Sequence, residues 1–253
     1  MKKVILAVLF ALFILPFGYL VLLSVASSWR FPEVFPSQNL SLIHWASLSR
    51  TGVDWLSSLA TSALVAGVVG CLSTTAGFLS SHVLSIHSSR KLWITLAYFP
   101  YAFSPVIYAY CLSFMFNVLD LTGTLGGVLI AQFILTYPFA VLFFFNHFDQ
   151  QLREMEALAR TLGSSTTVVF WKILLPISKH TLLICFFQVF LISWFDYGLT
   201  SVIGLGQVKT LSIMVYQYIG EANIHVAAIA ACLLSFPPLV LLWFNHQFVF
   251  KKV

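Results

Sequence analysis

The chain has 253 residues, of which 60% are hydrophobic and only 8% are charged. Soluble domains carry about 25% charged residues, so this composition argues against an ordinary soluble protein and indicates a membrane protein. The net charge is +5, but the basic residues do not cluster with interleaved aromatic ones, which argues against nucleic-acid binding. The four cysteines lie far apart in apolar runs, without the spacing of a disulfide framework or a zinc site.

The chain starts with two lysines, and an apolar run follows from 4 to about 28. This run is longer than the roughly 7–15 apolar residues of a signal peptide, so it is predicted to be a retained first membrane helix. Five further apolar segments have similar lengths and are continuously apolar, which favours helices over barrel strands. The predicted fold is an all-α membrane protein with a single domain, 1–253. Its six predicted transmembrane helices are 4–28, 56–81, 93–117, 125–147, 181–203 and 225–248.

The distribution of lysine and arginine predicts the orientation of these spans. With the N-terminus inside, ten of the thirteen basic residues fall on the cytoplasmic side and three outside. Because short cytoplasmic loops carry the excess of basic residues, both termini are predicted to be cytoplasmic. The same count places the longest inner connection, residues 148–180, in the cytoplasm. The loop 29–55, the tight turn 118–124 and the amphipathic segment 204–224 are then predicted to lie outside.

The connection 148–180 contains an unusually polar stretch. Residues 150–162 suit a helix, and Gly163 is predicted to end or bend it. Ser164, Ser165 and Thr166 can cap a second short helix, "VVFWKILL", which is predicted to stop before Pro176. Such a helical knob has two interpretations: a docking element for another protein, or an amphipathic hairpin lying on the inner membrane surface.

The knob resembles the EAA motif of permease subunits from binding-protein-dependent ABC importers. The pattern G-x9-I-x-L-P is met by Gly163, Ile173, Leu175 and Pro176, and Ala159 begins a run that resembles the residues before the motif's glycine. The start of the motif differs. Its glutamate usually stands six residues before the glycine, where this chain has Ala157, and Glu156 comes one residue earlier. The contacts of this glutamate are therefore expected to differ from those of the family, whereas the second half of the motif is intact.

The resemblance implies a type I ABC importer permease-like bundle in a bacterial inner membrane. The loop 148–180, called the coupling loop below, would dock through residues 150–176 into a separate ATP-binding cassette subunit. A second permease subunit, identical or homologous, and an extracytoplasmic solute-binding protein would complete the importer. The chain has no G-x-x-x-x-G-K-[ST] loop, so ATP is expected to bind to the partner subunit. The chain itself is expected to be neither an enzyme nor the holder of a cofactor or metal.

The substrate pathway is predicted around Asp196, with Trp194 and Gln188 as neighbours. Asp196 lies inside the predicted span 181–203, and charged residues in spans face a bundle interior or a water-filled cavity. It has two interpretations: a pathway residue that favours a cation, or a structural partner bonded to neighbouring helices. The stretch from Trp194 to Ile219 also resembles the polyamine, ferric iron and thiamine branch of these permeases, less specifically than the loop resembles the EAA motif.

Two other functional classes remain open at this point. An ion-coupled secondary transporter or channel would need inverted repeats or broken helices at matching positions in the two halves. An integral membrane enzyme would need clustered acidic or histidine side chains at one membrane face. The one acidic cluster is Asp149, Glu154 and Glu156, which lies in the coupling loop.

Overall fold

The computed structural model describes residues 2–27, 29, 40–47, 55–86, 90–148 and 150–248. Most of the predicted outer loop 29–55, part of the turn after 86 and the last five residues lie outside the described residues. The described chain consists of helices joined by turns and short irregular segments, with one isolated bridge between Ala26 and Leu40. Its helices are α1 (Lys2–Val25), α2 (Ile43–Ser47), α3 (Trp55–Ile86), α4 (Arg90–Tyr98), α5 (Pro105–Val118), α6 (Leu125–Phe145), α7 (Gln150–Thr161), α8 (Thr166–Val169), α9 (Leu175–Trp194), α10 (Gly198–Gly204), α11 (Leu211–Gly220) and α12 (Ile224–Phe248).

Three helical stretches among the described residues are long and apolar enough to cross a bilayer: Trp55–Ser85, Leu125–Phe145 and Thr166–Trp194. A bent pair, Leu92–Ala102 and Pro105–Val118, forms a fourth candidate if the two halves belong to one span. The apolar helices Phe10–Val25 and Ile224–Val240 fall below the same length. An all-α membrane protein is therefore confirmed, while six spans with cytoplasmic termini stay a prediction.

The chain divides into two compact units. The first comprises residues 1–62 and 209–246. Within it, the rings of His44 and His225 stack at 4.7 Å, and the Trp55 ring stacks on Tyr218 at 5.7 Å. The backbone N–H of Leu211, at the start of α11, donates to the Ser62 hydroxyl over 2.8 Å. These contacts join α2, α3, α11 and α12 inside this unit.

The second unit comprises residues 63–208 and 247–253 and contains the main core. There α3 packs closely on α6 through small residues four positions apart, Ser73, Gly77 and Ser81. The Ser73 hydroxyl bonds the Thr136 hydroxyl at 2.7 Å, and Ser81 donates to the Val141 carbonyl at 2.8 Å. Small residues let two membrane helices approach until their side chains and backbones touch. The rings of Phe78, Phe144, Phe148 and Phe170 extend this core toward the coupling loop.

The predicted span 93–117 is not one straight helix. It breaks at Phe103 and Ser104, where the two halves meet at 99°. Both residues are extended, with ψ of 151° and 139°. The cause is Pro105, because a residue that precedes proline is pushed out of the helical region and proline then suits the first turn of the next helix.

The second helix of the coupling loop does not stop before Pro176, and this prediction was wrong. The helical stretch runs without a gap from Thr166 to Trp194. A π-helical turn, Phe170–Leu174, precedes the proline. A proline ring clashes with the carbonyl four residues earlier and has no N–H to donate, and a widened turn accommodates both defects.

The predicted span 181–203 is also divided. The helix that begins at Thr166 ends at Trp194, and α10 starts at Gly198 after a short break. The sequence predicted that Asp196 lies inside a continuous helix. In the structure it lies in this break. Helix α10 packs against α5 and α6. The break therefore lies where several helices of the second unit meet.

Candidate functional site: the coupling loop and the polar network at the helix break

Helix α7 of the coupling loop has two distinct faces. Leu152, Glu156 and Ala159 point inward and are less than a tenth exposed. Met155, Leu158 and Leu162 are 44%, 64% and 86% exposed. The outward set repeats at intervals of three and four residues, which places it on one face of the helix. The loop therefore presents an apolar stripe to its surroundings while its other face is fixed to the protein.

Glu156 is the polar residue of the inward face. Its Oε2 lies 3.1 Å from Nε2 of His82 on α3, and its Oε1 accepts from the Arg160 guanidinium at 2.6 Å. Burial by itself raises the pKa of Glu156, but the hydrogen bonds and charges of His82 and Arg160 lower it below its ordinary value. The stability contributed by this carboxylate is therefore present above the usual glutamate pKa of about 4.3 and is lost as the pH falls through the lowered value.

Gly163 ends α7 as predicted. Its φ of +84° is left-handed, a conformation that glycine adopts without strain. The N–H of Gly163 donates to the Arg160 carbonyl at 3.0 Å, and the N–H of Ser164 donates to the Ala159 carbonyl at 3.2 Å. This pair of bonds is a Schellman turn, which satisfies the last carbonyls of the helix. Ser165 then caps the next helix by accepting from the N–H of Val168.

The remaining predicted residues of the motif lie before and after the glycine turn, on α7 and on the helical stretch that begins at Thr166. Ala157 is exposed on α7. Ile173 and Leu175 are half-buried beside the π-helical turn, whereas Pro176 is exposed. The fully buried neighbour is Leu174, which belongs to the core of the second unit. Leu174, which stands at an unspecified position of the motif, therefore anchors the helical stretch Thr166–Trp194, called the returning helix below.

A cavity of about 350 Å³ lies between α3, α7 and the start of the returning helix. Its walls are mostly apolar, and the His82–Glu156 pair is its main polar element. The residues that line it are Leu79, His82, Val83, Glu156, Thr166, Thr167, Phe170, Trp171 and Leu174. His82 was not singled out from the sequence as a site residue. It is separated by 74 positions from Glu156, so no local sequence pattern joins them.

Asp196 is held in a polar network at the break before α10. Its Oδ2 accepts from the Thr200 N–H at 2.9 Å, from the Thr200 hydroxyl at 2.7 Å and from the Gln132 amide at 3.2 Å. Its Oδ1 accepts from the Leu199 N–H at 3.3 Å. The carboxylate thus caps the first turn of α10, a position where backbone N–H groups lack helical partners.

Gln132 extends this network into the core. Its amide donates to Thr200, and its carbonyl oxygen accepts from the Ser193 hydroxyl. Its backbone carbonyl accepts from Thr136, which bonds Ser73. Gln132 therefore joins α6 to α9 and α10 through its hydrogen bonds.

The network encloses very little space. The cavity beside Asp196 measures about 10 Å³, roughly the volume needed for a single water. Of the other predicted pathway residues, Trp194 is buried and stacks on Phe190 at 5.6 Å, whereas Gln188 is exposed. The structure does not bring these three residues into one cavity. In this conformation the geometry favours the structural interpretation of Asp196 over a substrate contact.

Comparisons with known proteins agree with the motif. The family described as "Binding-protein-dependent transport system inner membrane component" matches residues 70–251. The chain is 27% identical over 211 residues to sulfate permease 2, chloroplastic, of Chlamydomonas reinhardtii, which covers 77% of this chain and 57% of the algal protein. It is 24% identical over 201 residues to the sulfate transport system permease protein CysW of Synechocystis sp., which covers 71% of this chain and 73% of the cyanobacterial one.

The chain spans a little over half the length of the algal permease. The family match, however, covers well over half of this chain and includes both α7 and the helix break. The resemblance drawn from the coupling loop is thereby confirmed, and the family is one of transport permeases. The chain belongs to the family of inner membrane components of binding-protein-dependent transport systems.

Proposed function

We propose that the chain is the transmembrane permease subunit of an ATP-driven solute importer and that it docks a separate ATP-binding cassette subunit through residues 150–176. The observation that carries the proposal is the exposed apolar stripe of Met155, Leu158 and Leu162, on a helix whose inward face is buried and bonded. An exposed apolar patch that is fixed on a rigid element is typical of a protein interaction surface.

A docking role fits α7 better than a position flat on the membrane. Helices that lie on membranes are rich in lysine and arginine on their polar face. Helix α7 carries two glutamates and two arginines in twelve residues. Leu162, the most exposed residue of the stripe, follows the last residue of α7 and lies directly before the glycine turn. These features suit a protein groove that receives a small apolar tip.

The rest of the proposed assembly follows from the family and from the charge distribution. A second permease subunit, identical or homologous, would complete the translocation pathway, and an extracytoplasmic solute-binding protein would deliver the cargo. The cassette partner would bind ATP, so the permease would need no cofactor of its own. The chain would form one permease domain with six spans in a bacterial inner membrane. Ten of thirteen basic residues on one side support cytoplasmic termini and a cytoplasmic coupling loop.

Leu158→Glu tests the docking surface. A charge at the centre of the stripe should weaken the complex with the cassette subunit by about 100-fold or more, because an unpaired charge would be buried at the interface. The measurement is co-purification of the two subunits in detergent, followed by ATP-dependent uptake in proteoliposomes. Val118→Glu is the matched control, since Val118 is 84% exposed and lies at the predicted outer turn. Equal co-purification of Leu158→Glu and the wild type would contradict docking through α7.

The same proteoliposomes separate the proposal from an ion-coupled transporter or channel. Uptake should require ATP, the cassette subunit and the binding protein, and should continue when ion gradients are collapsed. Sulfate is the first cargo to test, because both relatives carry sulfate in their names. Polyamines, ferric iron and thiamine are the next cargoes, in keeping with the weaker sequence resemblance. Uptake driven by an ion gradient without ATP would contradict the proposal.

A further inference from the structure

The inward face of α7 raises a question that docking alone does not answer. If a partner displaces α7, the displacement must reach the helices that cross the membrane. The structure provides a direct connection at Glu156. Its carboxylate bonds His82, which lies in the last turns of α3, a helix long enough to span a bilayer.

The carboxylate is shared between two elements. Arg160 binds Oε1 from one turn further along α7, at 2.6 Å, and so fixes the rotamer of Glu156 within its own helix. His82 binds Oε2 from α3 at 3.1 Å. Glu156 is only 7% exposed, whereas the side chain of Arg160 is 46% exposed. The glutamate therefore joins α3 to α7 as an oriented contact.

His82 is itself held in place by aromatic packing. Its ring lies 5.3 Å from that of Phe148, a fully buried residue just before α7. Phe148 also packs against Phe78, which lies one turn before His82 on α3, at 5.2 Å. Phe78 and His82 thus share one face of α3. The packing against Phe148 therefore orients the imidazole toward the carboxylate.

An open cavity adjoins this pair. About 350 Å³ between α3, α7 and the returning helix is lined by side chains but not filled by them. At this border the hydrogen bond between His82 and Glu156 connects the two helices across a region where close packing is incomplete.

We propose that His82 is a positioning residue that couples α7 to α3, so that the movement imposed on α7 by the cassette subunit is passed to a membrane-crossing helix. The inference rests on the proposed function, since it requires docking at α7. His82 should have no role in cassette binding, because it belongs to α3 and faces the inward side of α7.

Two substitutions at His82 separate its bond from its packing. His82→Phe keeps a ring against Phe148 but removes the N–H, whereas His82→Gln keeps an N–H donor near the same place. His82→Phe should retain cassette binding and ATP hydrolysis but lower the number of cargo molecules imported per ATP by about tenfold, as expected for one lost charge-assisted bond. His82→Gln should restore most of this ratio. His180→Phe, at an exposed histidine of α9, is the matched control and should behave as the wild type.

Glu156→Gln changes the other partner of the bond and provides a second, independent test. If the bond between His82 and Glu156 carries the effect, the double variant with His82→Phe should import no less per ATP than the worse single variant. Additive losses would overturn the proposal, as would normal import per ATP in His82→Phe.

Cassette binding is measured in parallel by a disulfide crosslink from a cysteine at position 164. Loss of this crosslink in His82→Phe would make His82 a docking residue and overturn the coupling role. Absence of the crosslink from Ser164→Cys when His82 is unchanged would contradict docking itself and both proposals with it. A crosslink from Ser164→Cys with unchanged import in His82→Phe would overturn only the present inference.

Discussion

Glu156 lies on the buried face of α7, one position before the place of the glutamate in the motif. The family pattern places the glutamate where this chain has Ala157, and the sequence predicted altered contacts. In the structure, Ala157 is exposed, whereas Glu156 is buried between His82 and Arg160. Adjacent helical residues point about 100° apart, so the side chain at 157 cannot reach the same partners without rotating the helix.

Moving the glutamate back to the family position tests this orientation. Glu156→Ala should lower ATP-dependent uptake, because His82 and Arg160 lose their shared acceptor. Glu156→Ala combined with Ala157→Glu should not recover it, because the new carboxylate would point away from His82. Uptake rates per ATP hydrolysed provide the measurement, with Ala157→Glu alone as the control for an added charge. Full recovery in the double variant would show that the register of α7 differs from the one described.

Asp196 shows the limit of residue-scale prediction. A charged residue inside an apolar run was correctly singled out as a residue that needs partners. The run itself was interpreted as one helix, so the break that exposes the first N–H groups of α10 was not anticipated. The donors that surround the Asp196 carboxylate come from Gln132 and Thr200 as well as from Leu199. Tertiary proximity of Gln132, 64 positions away, cannot be derived from one sequence.

At the scale of elements, local chemistry predicted α7 and its glycine turn well. Gly163 and Ser165 act through bonds to residues within five positions, so their roles are visible in the sequence. The bend at Ser104 was also visible in principle, since Pro105 restricts the residue before it. The π-helical turn before Pro176 was not, because proline usually ends a helix and only tertiary packing of Leu174 and its neighbours keeps this one continuous.

The contact between α3 and α6 depends on the absence of a side chain at Gly77. A Cβ there would lie 2.5 Å from Cβ of Ala140 and 2.9 Å from its carbonyl carbon. Gly77→Ala should therefore destabilise the protein by about 1–3 kcal/mol, the usual cost of overpacking. Thermal unfolding in detergent is the measurement.

Gly67→Ala is the matched control in the same helix. A Cβ at Gly67 meets no atom within 4 Å. This substitution should leave the unfolding temperature unchanged or raise it, since alanine favours helices over glycine by about 0.5–1 kcal/mol. Equal effects of the two substitutions would contradict the close packing of α3 on α6.

At the scale of the whole molecule, composition and span length indicated an all-α membrane protein, and the coupling loop identified its family. Both conclusions rest on features that a bilayer imposes on any chain, or on a motif of fixed spacing. The arrangement of the helices, the divided spans and the bond between His82 and Glu156 arise from contacts between distant positions. These could not be obtained without the structure.

We propose that the tip of the coupling loop meets a cassette ATPase. Ser164→Cys, beside the glycine turn, tests this contact in a background that lacks the four native cysteines. We expect a disulfide crosslink to a cysteine in the cassette subunit, with a yield that changes when ATP is added. Val118→Cys, in the predicted outer turn, should give none. Absence of any crosslink from position 164 to the ATPase, in a folded and inserted protein, would contradict the claim.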